Sequence, residues 1–277
     1  MKQPSIHWPV AAFFVLLFIV VLDSCHPHPY LSTNKMQRQQ LKQMIKDLRK
    51  EPAVPITDTI LQPQHWVGTT NFNWRRPGYV IIHHTAQNAC EQTLKTFVTP
   101  AAQVSAHYVI CKDGTVHHML HDYLRANHAG VSRWGNVTDI NSLSIGIELD
   151  NTGFETFDSL QINSLLSLLS QLKRQFNLPA AHFIGHGDIA PTRKNDPNFR
   201  FPWKLLATKG FGLWFSDTLA TVPTEFNHLQ ALRIIGYDMR DTTAAIRAFK
   251  RHFLQDTTRW LTDTDKQVLF DLQRKYF

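Results

Sequence analysis

Only three cysteines occur among 277 residues, too few for a small fold stapled together by disulfides. No run of five or six basic residues is present, so the chain carries no basic tail. No internal repeat is evident, which excludes a solenoid. The longest apolar run, Val10 to Leu22, is too short to form a stable membrane-spanning helix. What is there has the ordinary composition of a globular chain, with length for one large domain and a small one around a buried core. The formal net charge of +7 and a pI near 9.4 suit an acidic polymer as partner: cell-wall glycan, anionic lipid or nucleic acid.

The apolar run comes after a start that carries Lys2 and no acid, and it reads as the core of a signal peptide. It ends in Leu22-Asp23-Ser24-Cys25. A Leu three before and a small residue just before a Cys resemble the lipobox of bacterial lipoproteins. That resemblance implies acylation of Cys25, which becomes the mature N-terminus of an exported body. The alternative is a membrane anchor left uncleaved, which exports the body equally. Export permits a disulfide between the two remaining cysteines, Cys90 and Cys111, but spacing does not establish one. A pair of inert buried thiols is the expected state, with a thiolate metal ligand as the alternative.

Residues 26–60 read as a tether and an amphipathic helix. Met36, Leu41, Met44, Ile45 and Leu48 recur at near-helical spacing, and Pro52, Pro55 and Pro63 break the chain between this helix and the main domain. The main domain is expected over residues 61–210. It opens with the strand Tyr79–His83 and a helix near Glu91–Phe97, stopped by Pro100. Val104–Cys111 alternates as a strand, and Asp113-Gly114 turns the chain back into Thr115–Met119. A polar loop carries His128 and Trp134 towards the strand Leu143–Leu149. Asp158 or Ser159 caps a helix whose Ile162, Leu165, Leu166, Leu169, Leu172 and Phe176 form one apolar stripe, read as core. A further strand runs into His186. Strands alternating with helices place this domain in the α/β class, a sheet covered by helices. Residues 211–222 read as a linker. Residues 223–277 read as three short helices, near Phe226–Ile235, Thr242–Phe253 and Asp263–Tyr276.

Three residues carry candidate chemistry of one kind. His83 directly follows a β-branched run, His186 follows the apolar stretch Ala180–Ile184, and Asp196 comes ten positions later on a loop stiffened by Pro191 and Pro197. Two histidines and an aspartate leave one tetrahedral position for water, the pattern of a catalytic zinc site rather than a structural one. Spacing alone leaves hydrogen-bonded structural histidines equally open, since 15 histidines supply many chance candidates. Glu148 stands in an otherwise apolar strand, so it is either ion-paired or functional. A carboxylate that is not a ligand takes the proton of a metal-activated water. Lys194, two residues before Asp196, is either an oxyanion stabiliser or a solvated loop lysine.

Taken together, these pieces resemble the zinc-dependent N-acetylmuramoyl-L-alanine amidases of the type 2 superfamily, which also contains phage lysozyme-type amidases and peptidoglycan recognition proteins. The matching segments are Val80-Ile81-Ile82-His83-His84-Thr85-Ala86, Ser105-Ala106-His107-Tyr108-Val109-Ile110, Asp113-Gly114, His128-Ala129-Gly130, Ser144-Ile145-Gly146-Ile147-Glu148-Leu149 and Gly185-His186 through Asp196-Pro197. They occur in family order over about residues 61–208. The resemblance implies that His83, His186 and Asp196 bind one Zn2+, that Glu148 is the general base, and that Lys194 stabilises the transition state. It also implies that His128 and Trp134 border the substrate groove. His107 is given a supporting role on the substrate side, because Ala106 stands where some relatives have a tyrosine. The implied fold is a mixed central sheet flanked by helices.

The C-terminal segment resembles the three-helix peptidoglycan-binding module, through Leu229-Gln230-Ala231-Leu232, Ile235-Gly236-Tyr237-Asp238 and Ala245-Ile246-Arg247-Ala248-Phe249-Lys250-Arg251-His252-Phe253. A Gln usually stands at the position of Lys250. With the lipobox, these features are similar to the outer-membrane-anchored amidase lipoproteins of Gram-negative bacteria. They imply hydrolysis of the amide between N-acetylmuramic acid and L-alanine, in peptidoglycan or its muropeptide fragments. They also imply a lipid anchor on Cys25 and an outer-membrane location facing the periplasm. No nucleic-acid or protein partner is expected. The competing expectation is a non-catalytic peptidoglycan-binding or wall-tethering lipoprotein.

Overall fold

Two stretches, residues 29–50 and 69–277, are described in the computed structural model of the chain. The signal-peptide segment, Cys25 and the start of the tether lie outside them, as do Pro52, Pro55 and Pro63. The first stretch holds one helix, α1 (Leu31–Leu48). It starts five residues before the periodic pattern did, because Leu31 to Lys35 contains no Gly or Pro to delay it.

The second unit, Phe72–Phe277, is built on a five-stranded sheet. In chain order come β1 (Tyr79–His84), α2 (Cys90–Val98), β2 (Tyr108–Ile110), β3 (Val116–His118), the short α3 (Ile140–Leu143), β4 (Ser144–Leu149), α4 (Ser159–Phe176) and β5 (Phe183–Gly185). The strands lie in the order β3-β2-β4-β1-β5, and only the β2–β3 hairpin is antiparallel. The mixed sheet flanked by helices bears out the α/β expectation. In the hairpin turn the Asp113 carboxylate accepts the Thr115 N–H at 2.8 Å, and Gly114 takes the left-handed backbone (φ 87°) that a side chain would strain.

β1 and β4 are covered on both faces, so both read as nearly continuous apolar runs. Val80 and Ile82 share one face with Ile145, Ile147 and Leu149, packed against Ile162, Leu165, Leu169, Leu172 and Phe176 of α4. Burying a large aliphatic side chain of this kind stabilises the fold by roughly 1.5–3 kcal/mol. Asp158 does sit at the N-cap of α4, but its side chain makes no capping hydrogen bond. The opposite face holds Ile81 with Ala129, Ile140, Ile184 and Ile189.

After β5 come the single turn α5 (His186–Ile189), then α6 (Trp203–Thr208), α7 (His228–Ile235), α8 (Thr242–Leu254) and α9 (Asp263–Tyr276). Each of the last three has a side-chain cap, from Asn227, Asp241 and Thr262. Their core joins Leu232, Ile235, Phe249, Phe253 and Leu269. Residues 211–222, expected as a linker, are instead tied into both cores. Phe211 is buried among the sheet residues and Leu213 among the helices, while the Gly212 N–H bonds Ala180 O at 2.9 Å.

Candidate metal centre and its cavity

The parallel sheet converges the functional side chains at the carboxyl ends of its strands, the edge where open α/β sheets bind ligands. His83 is the fifth residue of β1 and pairs in register with Glu148 of β4. Both belong to the face that carries Ile81. On that face β4 offers Ser144, Gly146 and Glu148, two small residues and one acid, which leave room above the sheet. His186 begins α5 directly after β5, and Asp196 returns beside it where the Gly187 N–H bonds Asp196 O at 2.6 Å.

His83 Nδ1, His186 Nδ1 and Asp196 Oδ2 lie 3.0–3.1 Å from one another. Ligand atoms about 2.0–2.1 Å from a tetrahedral zinc are about 3.3 Å apart, so this donor triangle has nearly the size the ion demands. All three residues are buried. Their remaining atoms are oriented as metal-binding histidines require: His83 Nε2 faces His128 Nδ1 at 3.0 Å, and His186 Nε2 faces the Ala129 carbonyl at 3.0 Å. His128 in turn meets Ser144 Oγ at 3.1 Å. Its ring occupies the space above Gly146, where a Cβ would come within 2.5 Å of it.

Burial and the neighbouring His186 push the His83 imidazole down to about 4, which keeps it neutral and able to act as a ligand at pH 7. Burial alone would raise Asp196, but the hydrogen bonds from His186 and His83 outweigh it and hold its carboxyl well below the usual range. Glu148 behaves in the opposite way. Burial first, and then the charge on Asp196, raise it to about 8, against the opposing field of Lys194. Its Oε2 is out of solvent with no hydrogen-bond partner. An orphaned carboxylate of this kind is costly unless a cation, a water or a substrate completes it. The donor set and this unpaired oxygen both fit a divalent metal in the triangle.

One cavity of about 360 Å³ is lined by His83, His128, Glu148, His186, Lys194 and Asp196. The structure thus brings together six of the residues selected from the sequence. Two others fall elsewhere. Trp134, expected at the groove, packs edge-on against Tyr237 at 5.1 Å and over Gly236, in the seam beneath the C-terminal helices. His107 is fully buried: Nδ1 accepts the Gly146 N–H at 3.0 Å and Nε2 lies 2.9 Å from Leu124 O, so it supports the strand and does not reach the cavity. The cysteine expectation is also corrected. Cys90 and Cys111 form a disulfide, with Cα atoms 5.4 Å apart, which removes them as thiolate ligands although His117 lies near.

Sequence reasoning missed the groups that hold the loop of His128. Asn141 Oδ1 accepts the backbone N–H of both His128 and Ala129, at 3.0 and 2.8 Å. Arg193, which also lines the cavity, donates to the carbonyls of Ala129 and Val131. An Asn and an Arg in polar segments carry no periodic signal that marks such tasks.

Residues 73–199 match the family model described as N-acetylmuramoyl-L-alanine amidase. The chain is 29% identical to the Escherichia coli (strain K12) N-acetylmuramoyl-L-alanine amidase AmiD over 230 residues, 71% of this chain and 82% of that protein. It is similar in structure to E. coli AmiD in complex with the substrate anhydro-N-acetylmuramic acid-L-Ala-D-gamma-Glu-L-Lys. That similarity has a TM-score of 0.66 at 26% identity and covers 76% of this chain and 93% of that one. Pseudomonas aeruginosa AmpDh3 in complex with anhydromuramic pentapeptide superposes with a TM-score of 0.67 at 27% identity, over 78% and 98% of the two chains.

Proposed function

We propose, for a chain that belongs to the N-acetylmuramoyl-L-alanine amidase family through residues 73–199, zinc-dependent hydrolysis of the amide between N-acetylmuramic acid and L-alanine. The substrate is peptidoglycan or its muropeptide fragments, in agreement with the fragments bound by E. coli AmiD and P. aeruginosa AmpDh3. The observation that carries this reading is the convergence of three metal-type donors beside an unpaired carboxylate in one cavity.

In this reading His83, His186 and Asp196 hold Zn2+. When bound, the ion would supply Lewis-acid polarisation of the scissile carbonyl and a water of lowered pKa. Glu148, paired across the strands with His83, takes the proton of the attacking water and passes it to the leaving amine of L-alanine. Burial holds Glu148 above the usual carboxylate range, which favours return of the proton to the amine, and a dication beside it would offset the Asp196 charge that helps to raise it, which favours uptake of the proton from water. Lys194, in the same cavity, brings its ammonium to the oxyanion that develops on the carbonyl. His128 fixes the ring of His83 from behind.

Replacing Glu148 with Gln tests this assignment. Turnover should fall by at least a hundredfold while zinc stays bound, and a variant that keeps its rate would remove Glu148 from the role. A non-catalytic receptor has no use for the unpaired Glu148 oxygen, so the enzyme reading is preferred.

The reading extends to location. Export as a lipoprotein acylated on Cys25, facing the periplasm from the outer membrane, rests on Leu22-Asp23-Ser24-Cys25. The Cys90–Cys111 disulfide supports an oxidising compartment. Metabolic labelling with a fatty acid, lost in Cys25→Ser, would test the anchor.

A further inference from the structure

The loop from His186 to Asp196 supplies two of the three donors and Lys194. It is held from within, where the Lys194 N–H bonds Ala190 O at 3.0 Å, and from the 129–133 segment, through Arg193 and the Arg133 N–H to Ile189 O at 2.8 Å. Further fixed points come from the C-terminal helices, more than forty residues later in the chain. Asp188, two residues after His186 and 4% exposed, has both oxygens engaged. Tyr237 Oη donates to Oδ1 at 3.0 Å, His252 Nδ1 meets Oδ2 at 2.7 Å, and the Gly185 N–H donates to the same Oδ2 at 2.9 Å. The His252 ring is itself held, stacked on Trp203 with centroids 3.9 Å apart. At the far end of the loop Arg251 Nη1 donates to the backbone carbonyl of Lys194 at 3.2 Å. Between those ends the Arg251 guanidinium crosses the α-carbon of Gly187, where any Cβ would overlap it and crowd Asp196 O. Arg251, His252 and Tyr237 are all buried, so these links sit out of solvent.

We propose that Tyr237, Arg251 and His252 are positioning residues for the metal centre, and that the C-terminal helices act as a working part of the active site. The inference rests on the zinc reading above. Donor atoms tolerate only about 0.2 Å of error in metal distance, and a misplacement of about 1 Å costs roughly a hundredfold in rate. Asp188 fixes the His186 end of the loop, and Arg251 fixes the Lys194 end. Loss of either link lets one donor or the ammonium drift while the sheet stays intact. A module serving only to bind wall glycan would have no such effect on the metal.

The test uses the full folded chain in three variants: Tyr237→Phe, Arg251→Met and Arg251→Lys. Tyr237→Phe removes a single hydroxyl and serves as the variant least able to disturb folding. Zinc affinity is read by competition with a chromophoric chelator at a temperature where circular dichroism shows each variant folded. The visible absorption of the cobalt-substituted protein reports coordination geometry. Tyr237→Phe and Arg251→Met should each weaken zinc binding about tenfold or more, the effect typical of groups that orient metal ligands, and should change the cobalt bands. Arg251→Lys, which restores a donor towards the Lys194 carbonyl, should recover most of the affinity. Variants that lose thermal stability but keep wild-type zinc affinity and cobalt bands would overturn the proposal. An unaltered protein that binds no zinc would overturn the reading beneath it instead, and this one with it.

Discussion

A methyl group added at Gly146 should damage the proposed metal centre from the floor of the site, on the sheet face that carries His83 and Glu148. The Gly146 Cα sits under the His128 ring, and a Cβ there would lie 2.5 Å from Cγ and 2.7 Å from Nδ1 and Cδ2 of that ring. Ordinary contact begins near 3.4 Å, so the ring must retreat by about 0.9 Å. It cannot do so and keep its 3.0 Å contact to His83 Nε2 and its 3.1 Å contact to Ser144 Oγ. Overpacking of this size costs about 1–3 kcal/mol of stability. Release of the His83 ring costs about tenfold to a hundredfold in metal affinity, equivalent to about 1.4–2.7 kcal/mol. Gly146→Ala is therefore expected to bind zinc at least tenfold more weakly and to melt several degrees lower. The two changes are separable by a double-mutant cycle. In a His128→Ala background the extra methyl meets no ring, and Gly146→Ala should cost little in either assay. Equal zinc affinity for wild type and Gly146→Ala, or an undiminished effect in the His128→Ala background, would refute the reasoning.

Two further outcomes are expected. Lys250, 2% exposed, pairs with Asp265 at 2.7 Å and Asp256 at 2.8 Å and donates to Trp260 O at 3.2 Å. Lys250→Met leaves Asp265 without its cation and should lower stability by about 3 kcal/mol in urea titration, with zinc binding at 25 °C unaffected. The second concerns pH. Burial depresses His107 from 6.5 to about 4, so its stabilising effect is complete above pH 6.5 and is lost as the pH falls towards 4, while the unfolded chain takes up the proton. At 1.36 kcal/mol per pH unit the full effect is about 3 kcal/mol. His107→Asn should lessen the fall in stability measured between pH 6.5 and 4 without abolishing it, because His83 is depressed over the same range, and an unchanged slope would remove His107 as a contributor.

Much of this architecture is legible in the residues, because burial leaves a mark on composition. The apolar stripe of α4 and the β-branched run of β1 announce themselves by spacing, and Glu148 stands out because a lone acid in an apolar strand demands a reason. Which residues become neighbours is less visible. The register that sets His83 against Glu148 follows from β1 and β4 pairing across more than sixty residues, and no local pattern encodes it. Trp134 shows the opposite error: its resemblance to a groove residue is genuine in sequence, yet Gly236 leaves a hollow that its indole fills. The two cysteines join because α2 begins beside the end of β2, a proximity that spacing does not reveal. Lys250 replaces the Gln expected of the helical module and is explained only by Asp256 and Asp265, which the turn before α9 brings to it. Arg251 and His252 sit on the helix that reads as a wall-binding element, and their tasks appear only once Asp188 and Lys194 are seen against them.

A zinc centre that cleaves the muramoyl–alanine amide is tested most directly by zinc content measured together with release of the stem peptide from a defined muropeptide, on protein lacking residues 1–25. About one zinc per chain is expected, with peptide release lost on chelation and restored by added zinc. Peptide release that survives complete removal of the metal, or a protein that takes up no zinc at all, would contradict it.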